Sequence, residues 1–137
     1  MGTTGTIAEN FKHGVQEGKK HKPIVLLVDF DGTLHYGSYP NIGKPNAYLI
    51  QYLINCRKCG MKVILYTMRE GDLLDKAIEF CRQYGLEFDC VNDNLPELQE
   101  IYHNNPRKIY CDYLIDNTSA VINGFGKRLP DLKKYGM

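Results

Sequence analysis

The segment Ile24-Val25-Leu26-Leu27-Val28-Asp29-Phe30-Asp31-Gly32-Thr33-Leu34 constrains this chain more than any other. Its opening run of strand-forming apolar side chains has no polar face to offer water. Such a run reads as a strand buried on both sides, as at the centre of a parallel sheet. The strand ends in Asp29 and Asp31, and acids at that end lie where open α/β sheets hold their ligands. Alternate side chains of a strand share a face, so the two carboxylates start out pointing the same way. Neighbouring carboxylates raise each other's pKa unless a cation or hydrogen-bond donors compensate. Mg²⁺, a hard cation that takes oxygen ligands, suits such a pair.

The remaining elements follow from periodicity. Tyr48, Leu49, Tyr52, Leu53 and Cys56 recur at helical spacing and predict a helix over 46–59 that stops at Gly60. Met61 to Tyr66 reads as a second buried strand, followed by Thr67-Met68-Arg69-Glu70-Gly71. Asp72 reads as the N-cap of a helix lined by Leu73, Leu74, Ala77, Ile78, Cys81 and Tyr84 and ended by Gly85. A third strand is expected over 87–91, a short helix over Pro96–Tyr102, and a fourth strand over Ile109–Ile115 that runs into Asp116-Asn117. Beyond it, a short fifth strand or a last helix is expected. Strands alternating with helices imply a parallel sheet covered on both sides, an α/β three-layer sandwich. Asp29, Asp31, Thr67 and Asp116 then close three strands at one end and meet if those strands are neighbours.

A length of 137 residues suits one domain, here 23–137, preceded by a polar arm over 1–22. Within that arm Ile7, Phe11 and Val15 recur every fourth residue, enough for a short amphipathic turn. The basic cluster Lys19-Lys20-His21-Lys22 reads as a solvated lead-in to the first strand. A net charge of +1 argues against a nucleic-acid polymer as partner. No apolar stretch approaches the ~18 residues a membrane span needs, and no signal peptide precedes the arm, so a cytoplasmic location is expected. Five cysteines, an odd number, read as reduced thiols. Cys56-x-x-Cys59 falls at a helix carboxyl end, where the dipole disfavours a thiolate, and no second such pair completes a zinc site.

The chemistry such residues support is phosphoryl transfer. An aspartate nucleophile splits a very slow hydrolysis into two steps. A second acid moves the proton, while a hydroxyl, a lysine and a cation hold the phosphoryl oxygens. Asp29, Asp31, Thr67, Lys108 and Asp116 supply one candidate for each role. With D-F-D-G-T-L closing the first strand, V-I-L-Y-T the second, Lys108 ahead of the last and L-I-D-N closing it, residues 24–120 resemble the haloacid dehalogenase (HAD) superfamily. The layout is most similar to a small capless branch found in bacteria and phages, with a looser kinship to deoxyribonucleotidases. The resemblance implies a Rossmann-like fold without a cap domain. It implies Asp29 as nucleophile and Asp31 as general acid/base, with Thr67 and Lys108 on the phosphoryl group. Mg²⁺ would be bound by the Asp29 carboxylate, the Asp31 carbonyl and Asp116. An acid two residues after the nucleophile goes, in that superfamily, with phosphoryl transfer to water or a sugar hydroxyl. Asn117 departs from the Asp-Asp that closes the last motif in many relatives, which removes a charge from the metal site. Asp112, at the start of the strand, would point away from the crevice.

Other residues carry two readings each. Arg69 either reaches a substrate phosphate or pairs with Glu70 or Asp72. Asn92 either touches substrate or serves the turn, and His35 and Tyr36 either flank the entrance or pack the loop. The connections after the first strand and ahead of Lys108 run about 11 and 16 residues, too short for a folded lid. An open site suits a phosphorylated small molecule such as a nucleotide or sugar phosphate, with room for a homo-oligomer to shield it. The expectation is a Mg²⁺-dependent phosphohydrolase using an aspartyl-phosphate. The alternatives are a phosphate- or partner-binding domain with weak turnover, a phosphotransferase, and a response-regulator receiver. The receiver expects its phosphorylated Asp after the third strand, where Cys90-Val91-Asn92 offers none.

Overall fold

The computed structural model describes residues 22–102, 108–116 and 130–135. The expected arm over 1–22 falls outside them except for Lys22, and so does Asn117. In chain order the elements are β1 (Val25–Asp29), α1 (Ala47–Lys58), β2 (Lys62–Tyr66), α2 (Gly71–Gln83), β3 (Cys90–Val91), α3 (Pro96–Tyr102), β4 (Tyr113–Ile115) and a 3₁₀ turn (Leu132–Tyr135). The strands form one parallel sheet in the order β3-β2-β1-β4. The chain steps outward from β1 to β3 and returns to add β4 on β1's other side. The order therefore reverses beside β1, the place where open parallel sheets leave a crevice at their carboxyl ends.

β1 is central, and its alternation sorts the core. Leu26, Val28 and Phe30 join Val63, Leu65 and Ile115 against Ile50, Leu53 and Cys56 of α1 and Ala77 and Cys81 of α2. Val25 and Leu27 join Ile64 on the opposite face, against Leu98 of α3 and Leu95 just ahead of it. Helices thus cover both faces, as the apolar run of β1 requires. Leu132 packs into the first cluster, and the Tyr52 hydroxyl donates to the Pro130 carbonyl at 2.6 Å, which ties the carboxyl-terminal turn to α1. Among the described residues no helix is long and apolar enough to cross a membrane. Among the described residues none of the five cysteines forms a disulfide, and burial pushes the Cys56 and Cys81 thiols up to about 12, as expected of inert core thiols.

β3 and β4 are shorter than their sequences suggest, and for one shared reason. At Asp89 the backbone N–H donates to the Val63 carbonyl at 2.8 Å while the carboxylate accepts the Val63 N–H at 2.8 Å. At Asp112 the N–H donates to the Val25 carbonyl at 2.9 Å, and the carboxylate accepts the Val25 N–H at 2.7 Å. Each aspartate replaces a peptide carbonyl of the ladder with its own side chain, so regular pairing begins only beyond it. The Asp112 pairing with Val25, at the amino end of β1, places that acid away from Asp29. α2 also begins differently: Gly71, at φ +53°, makes the turn and Glu70 takes the cap position without a side-chain bond. Asp72 lies inside the first turn, where its charge suits the helix dipole.

Candidate active site

Register brings the strand ends together. Asp29 lies opposite Tyr66, the residue before Thr67, and Val28 lies opposite Ile115, the residue before Asp116. Asp29 is half-buried, and burial pushes its carboxyl up to about 6, with further upward pressure from the neighbouring Asp116 and Asp31 and a partial offset from the Phe30 backbone N–H. After β1 the chain turns at Gly32, at φ +78°, where a side chain would be strained. The turn is closed by Thr33 and Leu34 N–H bonds to the Phe30 carbonyl at 3.1 and 2.9 Å. Thr33 is fully buried and its hydroxyl lies 3.5 Å from an Asp29 oxygen. Asn46 ties this turn to α1: its amide donates to the Thr33 carbonyl at 2.9 Å, and its oxygen accepts the Leu49 N–H at 3.3 Å as an N-cap.

Asp31 is held by donors only. Arg69 contributes Nε to Oδ2 at 2.9 Å and Nη2 to Oδ1 at 2.8 Å, a bidentate fork. His35 contributes Nε2 to Oδ1 at 2.8 Å. The tautomer follows from the other ring nitrogen, because His35 Nδ1 accepts the N–H groups of Gly37 at 2.9 Å and Gly43 at 3.0 Å. With Nδ1 an acceptor, the proton sits on Nε2 and His35 is a neutral donor to Asp31. Burial of Asp31 works against its charge, but the Arg69 and His35 hydrogen bonds prevail and hold its carboxyl below the ordinary range. Phe30, on the opposite face from Asp29, supports both partners: its ring lies 4.6 Å from the imidazole and 5.0 Å from the Arg69 guanidinium carbon.

Arg69 is 1% exposed and also bonds the Leu73 and Pro40 carbonyls at 3.3 and 3.1 Å, with Tyr39 5.1 Å away on its other side. Its partner is Asp31 rather than Glu70 or Asp72. Four of its five N–H groups are committed to protein oxygens. Thr67 is buried, and its hydroxyl accepts the Arg69 N–H at 3.1 Å, which leaves the O–H proton to donate. Asn92, at φ +54°, clamps the Thr67 backbone: its oxygen accepts the Thr67 N–H at 2.8 Å and its amide donates to the Thr67 carbonyl at 3.0 Å. Asn92 thus serves the turn, as the second of its two readings has it, and its carboxamide is spent on the β2 loop. Lys108 is exposed, and its carbonyl accepts from the buried Asn94 at 3.3 Å. Its ammonium makes no hydrogen bond or ion pair with the other described residues, so the structure does not bring it onto the acids. Tyr36 is exposed on the loop that follows His35.

Asp29 and Asp116 bring carboxylate oxygens together, a donor chemistry that fits a hard divalent cation. The upward pressure of Asp116 and Asp31 on Asp29 is the crowding such a cation relieves. Among the described residues no three His, Cys, Asp or Glu side chains form a ready metal cluster.

No family model matches the sequence, and no curated protein matches it. Among solved structures, a conserved protein from Bacteroides thetaiotaomicron is similar at 34% identity and a TM-score of 0.62, over 85% of this chain and 93% of that one. The two share an α/β fold. At that identity and coverage the chain belongs to the family of this conserved Bacteroides protein.

Proposed function

We propose that the protein is a capless, Mg²⁺-dependent phosphohydrolase of the HAD type, with a Rossmann-like sheet, acting on phosphomonoesters through an aspartyl-phosphate. The observation that carries this reading is the meeting of Asp29, Asp31, Thr67 and Asp116 at one end of three adjacent strands, with Asp29 and Asp116 crowded together. Asp29, on the central strand, is the nucleophile. Thr33 and Asn46 hold the turn behind it, so its carboxylate attacks from a fixed position. The Thr67 hydroxyl, oriented by the Arg69 N–H and the Asn92 clamp, donates to a phosphoryl oxygen. Asp31, kept ionised by Arg69 and His35, is ready to take a proton from the water that hydrolyses the aspartyl-phosphate. It returns that proton to the next leaving oxygen. Asp29, the Asp31 carbonyl and Asp116 would hold Mg²⁺, which would supply the positive charge that lets an anionic nucleophile meet an anionic phosphoryl group. Lys108 completes the phosphoryl contacts if the substrate draws it in.

The substrate class that suits an open site is a small phosphorylated metabolite such as a nucleotide or sugar phosphate. The test is phosphate release from nucleotide, sugar and aryl phosphates, with Mg²⁺ and with EDTA. Metal-dependent turnover by the wild type that Asp116→Ala abolishes is expected; no turnover on any compound would overturn the reading.

A further inference from the structure

Two side chains outside the expected catalytic set converge on Asp31, and each also holds something else. Arg69 grips both carboxylate oxygens and, through Nη2 and Nη1, the Pro40 and Leu73 carbonyls, so one buried guanidinium joins β1's acid, the 36–44 loop and the start of α2. His35 grips Oδ1 with one nitrogen and anchors Gly37 and Gly43 with the other. Those two glycines pack backbone on backbone: a Cβ on Gly43 would stand 2.5 Å from the Gly37 nitrogen and 2.6 Å from its Cα. The loop is pinched shut at the point where it donates to the imidazole. Around it, Tyr36 N–H donates to the Lys44 carbonyl at 2.9 Å and Asn41 N–H to the Ser38 carbonyl at 2.8 Å, giving the loop its own closure.

A surface carboxylate in an open crevice would sample several rotamers. Asp31 cannot rotate without breaking a bidentate ion pair and a third hydrogen bond together. We propose that Arg69 and His35 are positioning residues that fix the Asp31 carboxylate for proton transfer, and that the 36–44 loop acts on the chemistry through His35. This inference rests on the phosphohydrolase reading. Neither residue touches substrate; both act through Asp31. A 1 Å misplacement of a reacting group can cost ~10²-fold in rate, so the effect belongs in kcat rather than in KM.

A double-mutant cycle against Asp31 tests this. Steady-state hydrolysis of phenyl phosphate with Mg²⁺ is measured for Arg69→Lys, Asp31→Asn and the double variant, with thermal melts of each. Lysine keeps the charge but cannot make the fork. Arg69→Lys is expected to lower kcat by tenfold or more with KM within threefold, and to change kcat less than twofold when Asp31 is already replaced. Equal losses in both backgrounds would mean a purely structural role and overturn the proposal. His35 supplies a second route should the lysine variant melt too low. In His35→Asn the oxygen replaces Nδ1, keeping the glycine N–H bonds and losing the donor to Asp31. In His35→Gln the amide nitrogen replaces Nε2, keeping that donor. The Asn variant is expected to lose at least fivefold more kcat than the Gln variant; the reverse order would overturn the role assigned to His35. Absence of wild-type turnover on phenyl phosphate and all the metabolites above would instead sink the phosphohydrolase reading, and this inference with it.

Discussion

Replacing Asp29 with asparagine should stabilise the metal-free protein at neutral pH, because this carboxylate sits where its charge is unwelcome. Its carboxyl is raised from 3.8 to about 6, first by burial and then by Asp116 and Asp31. The folded state therefore holds the Asp29 proton more tightly than the unfolded chain. The resulting stability is fully present below the unfolded value of 3.8 and is lost as pH rises through about 6. A rise of that size, at ~1.4 kcal/mol per pH unit, gives ~3 kcal/mol, and partial exposure to water brings this to about 1.5 kcal/mol. The asparagine side chain carries no charge at any pH and escapes the cost. In urea titrations with EDTA, Asp29→Asn should exceed the wild type by about 1.5 kcal/mol at pH 7.5, or about 5 °C in Tm, by about a third of that at pH 4.5, and by almost nothing only well below the unfolded value of 3.8. Taking the difference between the two proteins cancels groups they share. Asp31 adds little to the window, since its depressed pKa confines its own contribution, of opposite sign, to below 3.8. Mg²⁺ should raise the wild type at pH 7.5 and leave the variant nearly unchanged. A variant no more stable than the wild type at pH 7.5, or an advantage independent of pH, would refute the electrostatic reasoning.

Three further substitutions probe the scaffold around the acids. Asn92→Ala removes both bonds to the Thr67 backbone and places a Cβ-bearing residue at φ +54° without asparagine's local compensation; a loss of about 2–3 kcal/mol in urea unfolding is expected, together with a fall in turnover. Gly43→Ala forces the Gly37–Gly43 contact apart and with it the donors to His35; about 2 kcal/mol is expected, and kcat should fall although the site lies several residues from Asp31. Asp112→Ala leaves the Val25 N–H without its carboxylate acceptor at the far end of β1; it should cost about 1–3 kcal/mol in unfolding while kcat per folded molecule stays within twofold of the wild type.

What could be read from the chain follows the kind of interaction involved. The double-sided burial of β1 and the helices α1, α2 and α3 are legible because apolar spacing is a local signal, and their observed bounds lie within a residue or two of the expected ones. The strand ends Asp29, Thr67 and Asp116 are legible for the same reason: each closes an apolar run. The lengths of β3 and β4 are not, since Asp89 and Asp112 look like ordinary polar residues until their carboxylates are seen standing in for ladder carbonyls. Nor is the Arg69–Asp31 fork, which joins residues 38 apart in sequence and obeys no period. Asn92 gives a partial hint, as asparagine tolerates the left-handed conformation at a strand end, but its clamp on Thr67 depends on β2 and β3 pairing. His35 gives none: its tautomer is set by two glycine N–H groups that only the folded loop brings together.

The central claim is that a phosphoryl group passes through Asp29. The most direct measurement mixes the protein, Mg²⁺ and ³²P-labelled phenyl phosphate, quenches in acid at short times, and maps the label by peptide digestion. The expected result is an acid-stable, hydroxylamine-labile phosphate on the peptide carrying Asp29, absent from Asp29→Asn and absent when EDTA removes the metal. Turnover that proceeds with no label on Asp29, or that persists in Asp29→Asn, would contradict it.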